Sequence, residues 1–188
     1  EDASAWTLNG SALKLKASDG DIAEHNAAAG NIFLQSANSD WTVNTKLSCS
    51  KTPGSPAQNA GLLAYQDDDN FVKFVYAAPG FRRGQAGTGT LQLSCVAAGN
   101  SKSSISVSLE GVNVVNNTRW LRLVKKGSVY TAYYSTDGKK YVEAGKVDTL
   151  LKDIKAGLIA CNGVLPARFA AFGRGMQAPA DNTPFEVS

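Results

Sequence analysis

The sequence predicts an all-β protein whose strands form two large sheets packed face to face, as in a jelly roll. About a dozen strand-like runs recur at short intervals, separated by Gly, Asn, Asp, Ser and Pro, which is typical of a β-sandwich. Apolar and polar residues alternate along Trp41 to Cys49, as in a half-buried strand. Only Thr149 to Ile154 hints at a helical turn. Because a dozen strands exceeds the seven to nine of an immunoglobulin domain, the larger jelly-roll architecture is favoured.

Each strand is predicted from a β-rich run bounded by turn residues. In chain order the predicted strands are Ala12 to Lys16, Ile32 to Gln35, Trp41 to Cys49, Gly61 to Gln66, Phe71 to Tyr76, Thr90 to Val96, Ser104 to Leu109, Trp120 to Lys125, Val129 to Ser135, Tyr141 to Lys146, Lys155 to Cys161 and Ala167 to Phe172. The length of 188 residues suits one β-sandwich domain over residues 1 to 188, with a core of about residues 5 to 173 and an irregular C-terminal tail.

The strands around Asp68-Asp69 are predicted to form a hairpin with its turn at that dipeptide. The predicted core face carries Leu63, Tyr65, Val72, Phe74 and Tyr76, and the opposite face carries Leu62, Ala64, Gln66, Phe71, Lys73 and Val75. Gln66 and Lys73 therefore bring polar groups to the face away from the core. The three consecutive aspartates of the turn are oxygen ligands of the kind calcium prefers, but turn chemistry is the favoured interpretation because Asp is itself a turn residue.

A glycine-rich loop with the sequence A-A-P-G-F-R-R-G-Q-A-G-T-G follows from Ala77 to Gly89. It is too long for a tight hairpin connection, and long loops in compact domains are often functional. Phe81 and Arg82 lie near its tip, where the ring would stack on a ligand and the guanidinium would donate hydrogen bonds. The alternative is a loop that folds back so that Phe81 caps the sandwich.

A second hairpin is predicted from Trp120 to Tyr141, with Lys126-Gly127 as its turn and Trp120 opposite Tyr133. Its core face carries Leu121, Leu123, Tyr130, Ala132 and Tyr134, and its other face carries Trp120, Arg122, Val124, Val129, Thr131 and Tyr133. Aromatic rings beside a guanidinium suit stacking on a sugar ring while hydrogen-bonding its hydroxyls. The alternative is that Trp120 and Tyr133 form a cross-strand pair buried under a loop. Gln66 and Lys73 would join Arg122 if the two hairpins share a sheet.

Three cysteines, Cys49, Cys95 and Cys161, allow at most one intramolecular disulfide, and their spacing matches no short metal motif. Each lies in a strand-like run, so three buried thiols are expected, with a disulfide between Cys49 and Cys95 as the alternative. The net charge of +3 is spread along the chain without a dense basic block, which makes nucleic acid a weak candidate. No apolar run approaches a membrane span.

Several segments, in order, carry a family resemblance: A-W-T-L-N-G-S-A-L-K-L from Ala5, N-I-F-L-Q-S-A from Asn31, W-T-V-N-T-K-L from Trp41, A-G-L-L-A-Y-Q-D-D-D-N-F-V-K-F from Ala60, L-R-L-V-K-K-G from Leu121, Y-Y-S-T-D-G-K-K-Y from Tyr133, and then K-A-G-L-I-A-C-N and A-R-F-A-A-F. With them the chain resembles the concanavalin A-like domains attached to bacterial glycoside hydrolases, above all the C-terminal domain of family 43 β-xylosidases. The resemblance implies a concanavalin A-like jelly-roll sandwich that packs on a separate catalytic propeller.

The chain departs from related sandwiches where it reads Phe169-Ala170-Ala171-Phe172, since relatives often place an acidic residue between two aromatics there. That departure puts a calcium site in doubt, and no metal or other cofactor is expected. The chain has no room for the propeller, so it is expected to be an excised accessory domain or a free-standing secreted relative. A start at Glu1 without an initiator Met is compatible with a processed secreted protein or with an excised domain. The Ser-, Thr-, Asn- and Gly-rich composition fits an extracellular module, so a secreted, periplasmic or cell-surface bacterial location is expected.

Catalytic groups are not evident. Retaining glycosidases on related sandwiches use two carboxyl groups about 5 Å apart, whereas the five glutamates here are scattered and His25 is a lone histidine beside Glu24. No nucleophile elbow, metal-ligand spacing or phosphate loop is present. The residues therefore predict no catalytic role, although a free-standing glycoside hydrolase with acids from separate loops remains an alternative.

We therefore expect a non-catalytic carbohydrate-binding or accessory domain associated with plant-polysaccharide glycoside hydrolases. Its partners would be an oligo- or polysaccharide and a glycoside hydrolase catalytic domain, and neither a nucleic-acid partner nor a membrane span is expected. A structural or protein-docking domain is a further alternative. The predicted ligand-binding residues are Trp120, Arg122, Tyr133, Gln66, Lys73, Phe81 and Arg82.

Overall fold

The computed structural model describes residues 5–18, 20–23, 26–27, 31–49, 58–77, 89–109, 118–163 and 184–187. In these ranges the strands are β1 Trp6–Asn9, β2 Ala12–Lys16, β3 Ile22–Ala23, β4 Asn26–Ala27, β5 Ile32–Ser36, β6 Trp41–Cys49, β7 Asn59–Asp67, β8 Asn70–Ala77, β9 Thr90–Ala97, β10 Asn100–Ser108, β11 Thr118–Lys126, β12 Val129–Ser135, β13 Val142–Asp148, β14 Lys155–Cys161 and β15 Pro184–Val187. The predicted all-β sandwich is confirmed. No helix in the described ranges is long and apolar enough to cross a membrane.

Two antiparallel sheets form the sandwich. The seven-stranded sheet has the order β1-β2-β15-β6-β11-β12-β13, and the six-stranded sheet has the order β10-β9-β8-β7-β14-β5. β3 and β4 pair as a small separate hairpin. Non-consecutive strands such as β6 and β11 are neighbours, so the chain crosses between the sheets as expected for a jelly roll.

The core lies between the two sheets and is made by the inward positions of both. Its fully buried side chains include Leu15, Leu47, Leu62, Phe74, Leu93, Leu121 and Tyr130. A second, smaller apolar cluster lies on the outer side of the six-stranded sheet, where Ile22 of β3 covers Leu63, Phe71 and Ile159. The six-stranded sheet is therefore covered on both faces along β7, β8 and β14, whereas the outer face of the seven-stranded sheet carries the candidate site.

The hairpin of β11 and β12 has the predicted faces but not the predicted register. Trp120 lies opposite Ser135, and Arg122 lies opposite Tyr133, which is two residues from the predicted pairing. The turn is Gly127-Ser128, where Gly127 has a φ of +58° and its N–H donates to Asp40 Oδ1 at 2.9 Å. Glycine at the first central position favours this tight turn. A shift of two residues leaves every side chain on its predicted face.

The hairpin of β7 and β8 has the predicted turn, but the predicted faces of β7 are wrong. A β-bulge between Tyr65 and Asp67 adds one residue to β7, so Ala64 rather than Tyr65 lies opposite Val72. One extra residue exchanges the two faces of a strand. Leu62 consequently lies in the main core, and Leu63 packs in the outer cluster.

Asp67 organises that turn through hydrogen bonds. Its carboxylate accepts from Asn70 Nδ2 at 2.7 Å, from Gln66 Nε2 at 2.9 Å and from the Asp69 backbone N–H at 3.0 Å. Partial burial alone would raise the pKa of Asp67, but these donated hydrogen bonds outweigh it and lower the pKa. The aspartates thus carry the turn chemistry that the sequence favours.

Two predictions at chain ends and connections are wrong. Pro184–Val187 form β15 between β2 and β6, in place of a wholly irregular tail. The segment from Thr149 to Ile154 is an irregular connection with a left-handed residue, Asp153, rather than a helical turn. The predicted strand Ala167 to Phe172 lies outside the described residues.

The cysteines are buried where the side chains are described. Cys95 and Cys161 are free thiols in the interior, so a disulfide between Cys49 and Cys95 is not formed. Burial and, to a smaller extent, the nearby carboxylate of Asp21 together raise the pKa of the Cys161 thiol to about 12. The side chain of Cys49 lies outside the described part of the chain.

Candidate functional site

The outer face of the seven-stranded sheet brings three of the predicted site residues together. On β11, Trp120 lies opposite Lys46 of β6, and Arg122 lies opposite Asn44 of β6 and Tyr133 of β12. Alternation places these side chains on the face away from the core. With Tyr141, which follows the next turn, they form a patch that we call the Arg122 surface; its members are Asn44, Lys46, Trp120, Arg122, Tyr133 and Tyr141.

Arg122 is the centre of this surface and is held from two sides. Its Nε donates a hydrogen bond to Asn44 Oδ1 at 2.6 Å. Its guanidinium carbon lies 3.7 Å from the centroid of the Tyr141 ring, a stacked cation–π contact. Stacking and the Nε bond fix the plane of the guanidinium, so its terminal NH₂ groups are pre-oriented for an acceptor.

Trp120 is half-buried. Its exposure thus lies between the two predictions, a ring open for stacking on a sugar and a ring buried under a loop. The backbone of Gly138 packs against the indole, and a Cβ at Gly138 would lie 2.8 Å from Trp120 Cε2. Lys46 Nζ lies 5.9 Å from the indole centroid. Trp120 is therefore partly covered by the turn of residues 136–140, but it does not form a directly opposed pair with Tyr133.

That covering turn is held by Ser135 and Asp137. Ser135 Oγ donates to Asp137 Oδ1 at 2.9 Å and accepts from the Gly138 N–H at 2.9 Å. The same carboxylate oxygen accepts the backbone N–H groups of Lys139 at 2.7 Å and Lys140 at 2.9 Å. The backbone donors of Lys140 and Lys139, with the Ser135 hydroxyl, lower the pKa of Asp137 to about 2. Asp137 thus fixes the backbone that rests on Trp120.

A cleft of about 470 Å³ adjoins the Arg122 surface and is lined by residues of both sheets. Asn44 belongs to both, and the other lining residues are Ser11, Leu13, Phe33, Leu34, Gln35, Val43, Thr45, Ala156, Gly157 and Leu158. None of the lining residues in the described part of the chain is a carboxylate. In the described ranges no three His, Cys, Asp or Glu side chains converge as metal ligands would.

Gln66 and Lys73 do not join Arg122, because β7 and β8 lie in the other sheet. Gln66 is the bulge residue, and its Oε1 accepts the backbone N–H of Lys152 at 2.8 Å. Lys73 is buried beneath β3, where its Nζ donates to Asp21 Oδ1 at 2.8 Å and to the Ile22 carbonyl at 2.7 Å. The two hairpins do not share a sheet, so the predicted placement of Gln66 and Lys73 beside Arg122 is wrong. Phe81 and Arg82 lie outside the described residues.

Sequence reasoning missed Tyr141, Asn44 and Lys46. Asn44 and Lys46 occupy the polar parity of the alternation on β6, which marked them as outward-facing without indicating that β11 is the neighbouring strand. Tyr141 closes the Y-Y-S-T-D-G-K-K-Y segment, but its contact with Arg122 depends on how the turn folds back. The sequence indicates where each strand lies along the chain, but it does not indicate which strands are neighbours in a sheet.

Two antiparallel sheets with this strand order form a concanavalin A-like β-sandwich. The chain belongs to the family of β-xylosidase C-terminal concanavalin A-like domains of glycoside hydrolase family 43, whose model matches residues 1–181. The resemblance seen in the sequence is confirmed.

Solved structures share the fold at low sequence identity. The family 43 protein BlXynB of Bacillus licheniformis superposes with a TM-score of 0.72 at 19% identity, over 99% of this chain and 34% of that one. A functionally unknown protein of Saccharomyces cerevisiae superposes with a TM-score of 0.67 at 15% identity, over 97% of this chain and 86% of that one. The β-glucanase of Bacillus licheniformis superposes with a TM-score of 0.53 at 14% identity, over 98% of this chain and 79% of that one. No curated protein sequence matches the chain. The chain thus spans about a third of the family 43 protein's length.

Proposed function

We propose that this chain is a non-catalytic carbohydrate-binding accessory domain of a family 43 glycoside hydrolase that acts on a plant polysaccharide. The saccharide binds on the Arg122 surface. Family membership supports the association with glycoside hydrolases. The position of Arg122 supports the site.

The observation that carries the proposal is the stacking of Arg122 on Tyr141 with its Nε held by Asn44, on an outer sheet face between Trp120 and Tyr133. Saccharide sites combine a flat apolar surface for the sugar ring with a few oriented hydrogen-bond donors. Here Tyr133 and the exposed part of Trp120 supply the rings. Arg122 supplies donors whose direction is fixed before the ligand arrives, which lowers the entropy cost of binding.

A binding role fits the described residues better than a catalytic one. The hydrolytic alternative needs two carboxyl groups about 5 to 10 Å apart in a cleft. The cleft beside Asn44 is lined by apolar, amide and hydroxyl side chains. On the face itself, the register places two glutamates on either side of the patch: Glu143 of β13 lies opposite Tyr133, and Glu186 of β15 lies opposite Ser48.

Isothermal titration of the purified chain with xylo- and arabino-oligosaccharides tests the proposal, alongside a hydrolysis assay on the same sugars. Binding without turnover is the expected result. Arg122→Ala should weaken binding at least about tenfold, because a hydrogen bond to a charged donor contributes about 1.5 to 3 kcal/mol. Gln92→Ala is the matched control, since Gln92 is exposed on the outer face of the other sheet and should not change affinity.

Turnover by the purified chain would replace the proposal with the hydrolase alternative. Absence of binding to every sugar would leave a structural or protein-docking role. Trp6 and Leu8 of β1 would then be the first docking surface to test, because both are large apolar side chains exposed to solvent. The Trp6 ring also packs edge-on against Phe33 of the cleft, with 5.8 Å between the ring centroids.

A further inference from the structure

We propose that the Arg122 surface selects acidic saccharides, with the carboxylate of a uronic acid bound by Arg122 and Lys46. This inference rests on the proposed function and specifies the ligand class. The ligand is a polysaccharide chain bearing uronic acid units rather than a neutral one. Three observations support it: unpaired positive charge, the geometry of the guanidinium, and the aromatic rings around it.

Among the side chains that the structure describes, no carboxylate forms an ion pair with the two cations of the Arg122 surface. Lys46 and Arg122 lie on adjacent strands, β6 and β11, and neither has an ion-pair partner among the described side chains. Glu186 of β15 is placed by the register opposite Ser48, two residues along β6 from Lys46 but four from Asn44, the residue opposite Arg122. Arg122 is therefore the cation farther from this acidic residue. The ion pair found among the described side chains joins Lys73 to Asp21, on the outer face of the other sheet. Two neighbouring cations repel each other, and an anionic ligand bound between them relieves that repulsion.

The acidic residue nearest in the register is too far away to neutralise Arg122. Glu143 on β13 lies opposite Tyr133, with the whole of β12 between it and Arg122. Two strand spacings amount to roughly 10 Å, which is about one Debye length at moderate salt. The carboxylate of Asp137 is engaged by its own turn. No described carboxylate therefore competes closely with a ligand for the guanidinium.

The guanidinium presents the edge that carboxylates bind. Because Nε is used by Asn44 and one planar face is used by Tyr141, the two terminal NH₂ groups form the remaining fork. Two parallel hydrogen bonds from such a fork match the two oxygens of a carboxylate. A neutral sugar offers hydroxyls, which fit single donors equally well and gain nothing from the net charge.

The aromatic rings specify a sugar acid rather than a free anion. Trp120 is next but one to Arg122 on β11, and Tyr133 is directly across from it on β12. Rings at these positions contact the pyranose that carries the carboxylate, since neighbouring outward side chains lie about 5 to 7 Å apart. Inorganic anions would use Arg122 and Lys46 alone and gain nothing from the rings.

Titration of the native chain with three matched oligosaccharides tests the inference: a neutral xylo-oligosaccharide, the same oligosaccharide bearing one uronic acid, and its carboxyl-reduced form. The acidic form should bind at least about tenfold more tightly than the other two, or about 1.4 kcal/mol. Raising the salt concentration to about 1 M should remove most of that advantage, because the Debye length falls to about 3 Å.

Variants assign the preference to its residues. Arg122→Lys keeps the charge but removes the fork, so it should lose most of the preference while its thermal midpoint reports whether it folds. Lys46→Gln should lose a smaller part. Lys146→Gln is the control, since this exposed lysine lies opposite Thr131 on the same face but away from Arg122.

The outcomes separate the two proposals. Equal affinity for acidic and neutral oligosaccharides overturns the acidic preference and leaves the carbohydrate-binding function standing. Absence of binding to all three overturns both. A preference that survives both Arg122→Lys and Lys46→Gln overturns the assignment to this surface.

Discussion

The backbone of Gly138 rests on the indole of Trp120, so closely that a Cβ at Gly138 would lie 2.8 Å from Trp120 Cε2. Gly138 also has a φ of +72°, a left-handed conformation that side chains with a Cβ rarely adopt. The turn that follows β12 thus fixes how much of Trp120 is exposed on the Arg122 surface.

Replacing Gly138 with Ala should lower the free energy of unfolding by about 2 kcal/mol, because backbone strain and a steric clash act together. Gly127→Ala is the matched control. It has a similar φ of +58° but open space around a Cβ, so only the conformational cost of about 1 kcal/mol applies. Urea unfolding monitored by tryptophan fluorescence measures both. Equal losses of unfolding free energy for the two variants would contradict the predicted clash, because they would show that the Trp120 indole moves aside without destabilising the fold.

Acid should loosen the same turn through Asp137. The folded pKa of about 2 lies below the ordinary value, so the stabilisation is present above about pH 4 and is lost as the pH falls from about 4 to 2. Thermal midpoints of the native chain and of Asp137→Asn between pH 5 and pH 2 test this. The variant should show a shallower decline, whereas identical curves would mean that Asp137 contributes nothing to the acid response.

Removing only Lys73 from the buried ion pair with Asp21 should lower the free energy of unfolding more than neutralising both partners. Lys73→Met removes the cation and leaves Asp21, which also accepts from Asn59 Nδ2 at 3.0 Å, without its charge partner. We expect a loss of about 3 kcal/mol, because an uncompensated buried charge is costly. Asp21→Asn introduced into that variant should restore part of the loss. A double variant as unstable as the sum of the two single variants would contradict the pairing.

Cys161 should be unreactive in the folded protein. Its pKa is raised to about 12 by burial and by the Asp21 carboxylate, so the nucleophilic thiolate is scarce at pH 8. Cys95 is buried as well, and burial raises its pKa. Ellman's reagent should therefore react with no more than one thiol in native protein and with three in denaturant. Rapid reaction of Cys161 before unfolding would contradict its burial.

The sequence predicts the strands better than their arrangement. Four strands, Ala12–Lys16, Trp41–Cys49, Val129–Ser135 and Lys155–Cys161, have the predicted bounds, because alternation and turn residues are local signals. The faces of β11 and β12 were also predictable, since a register error of two residues preserves them.

The remaining errors come from non-local or single-residue effects. The bulge at Gln66 reverses the two faces of β7. The sequence does not indicate this bulge, because both alternating sets of residues in β7 contain apolar side chains that could face the core. The assignment of Lys73 to the same site as Arg122 failed because sheet membership depends on strand order. The contacts of Arg122 with Asn44 and Tyr141 join segments distant in sequence, and no local pattern encodes them.

The most direct test of the central claim is a map of the bound saccharide by amide and side-chain chemical shifts in two-dimensional NMR. Titration with a uronic acid-bearing xylo-oligosaccharide should shift the Trp120 indole N–H, the Arg122 Nε–H and the Asn44 side-chain amide. Resonances of Gln92, on the opposite side of the sandwich, should remain unchanged. Shifts confined to other parts of the molecule, or none at all at saturating sugar, would contradict the assignment of the Arg122 surface as the binding site.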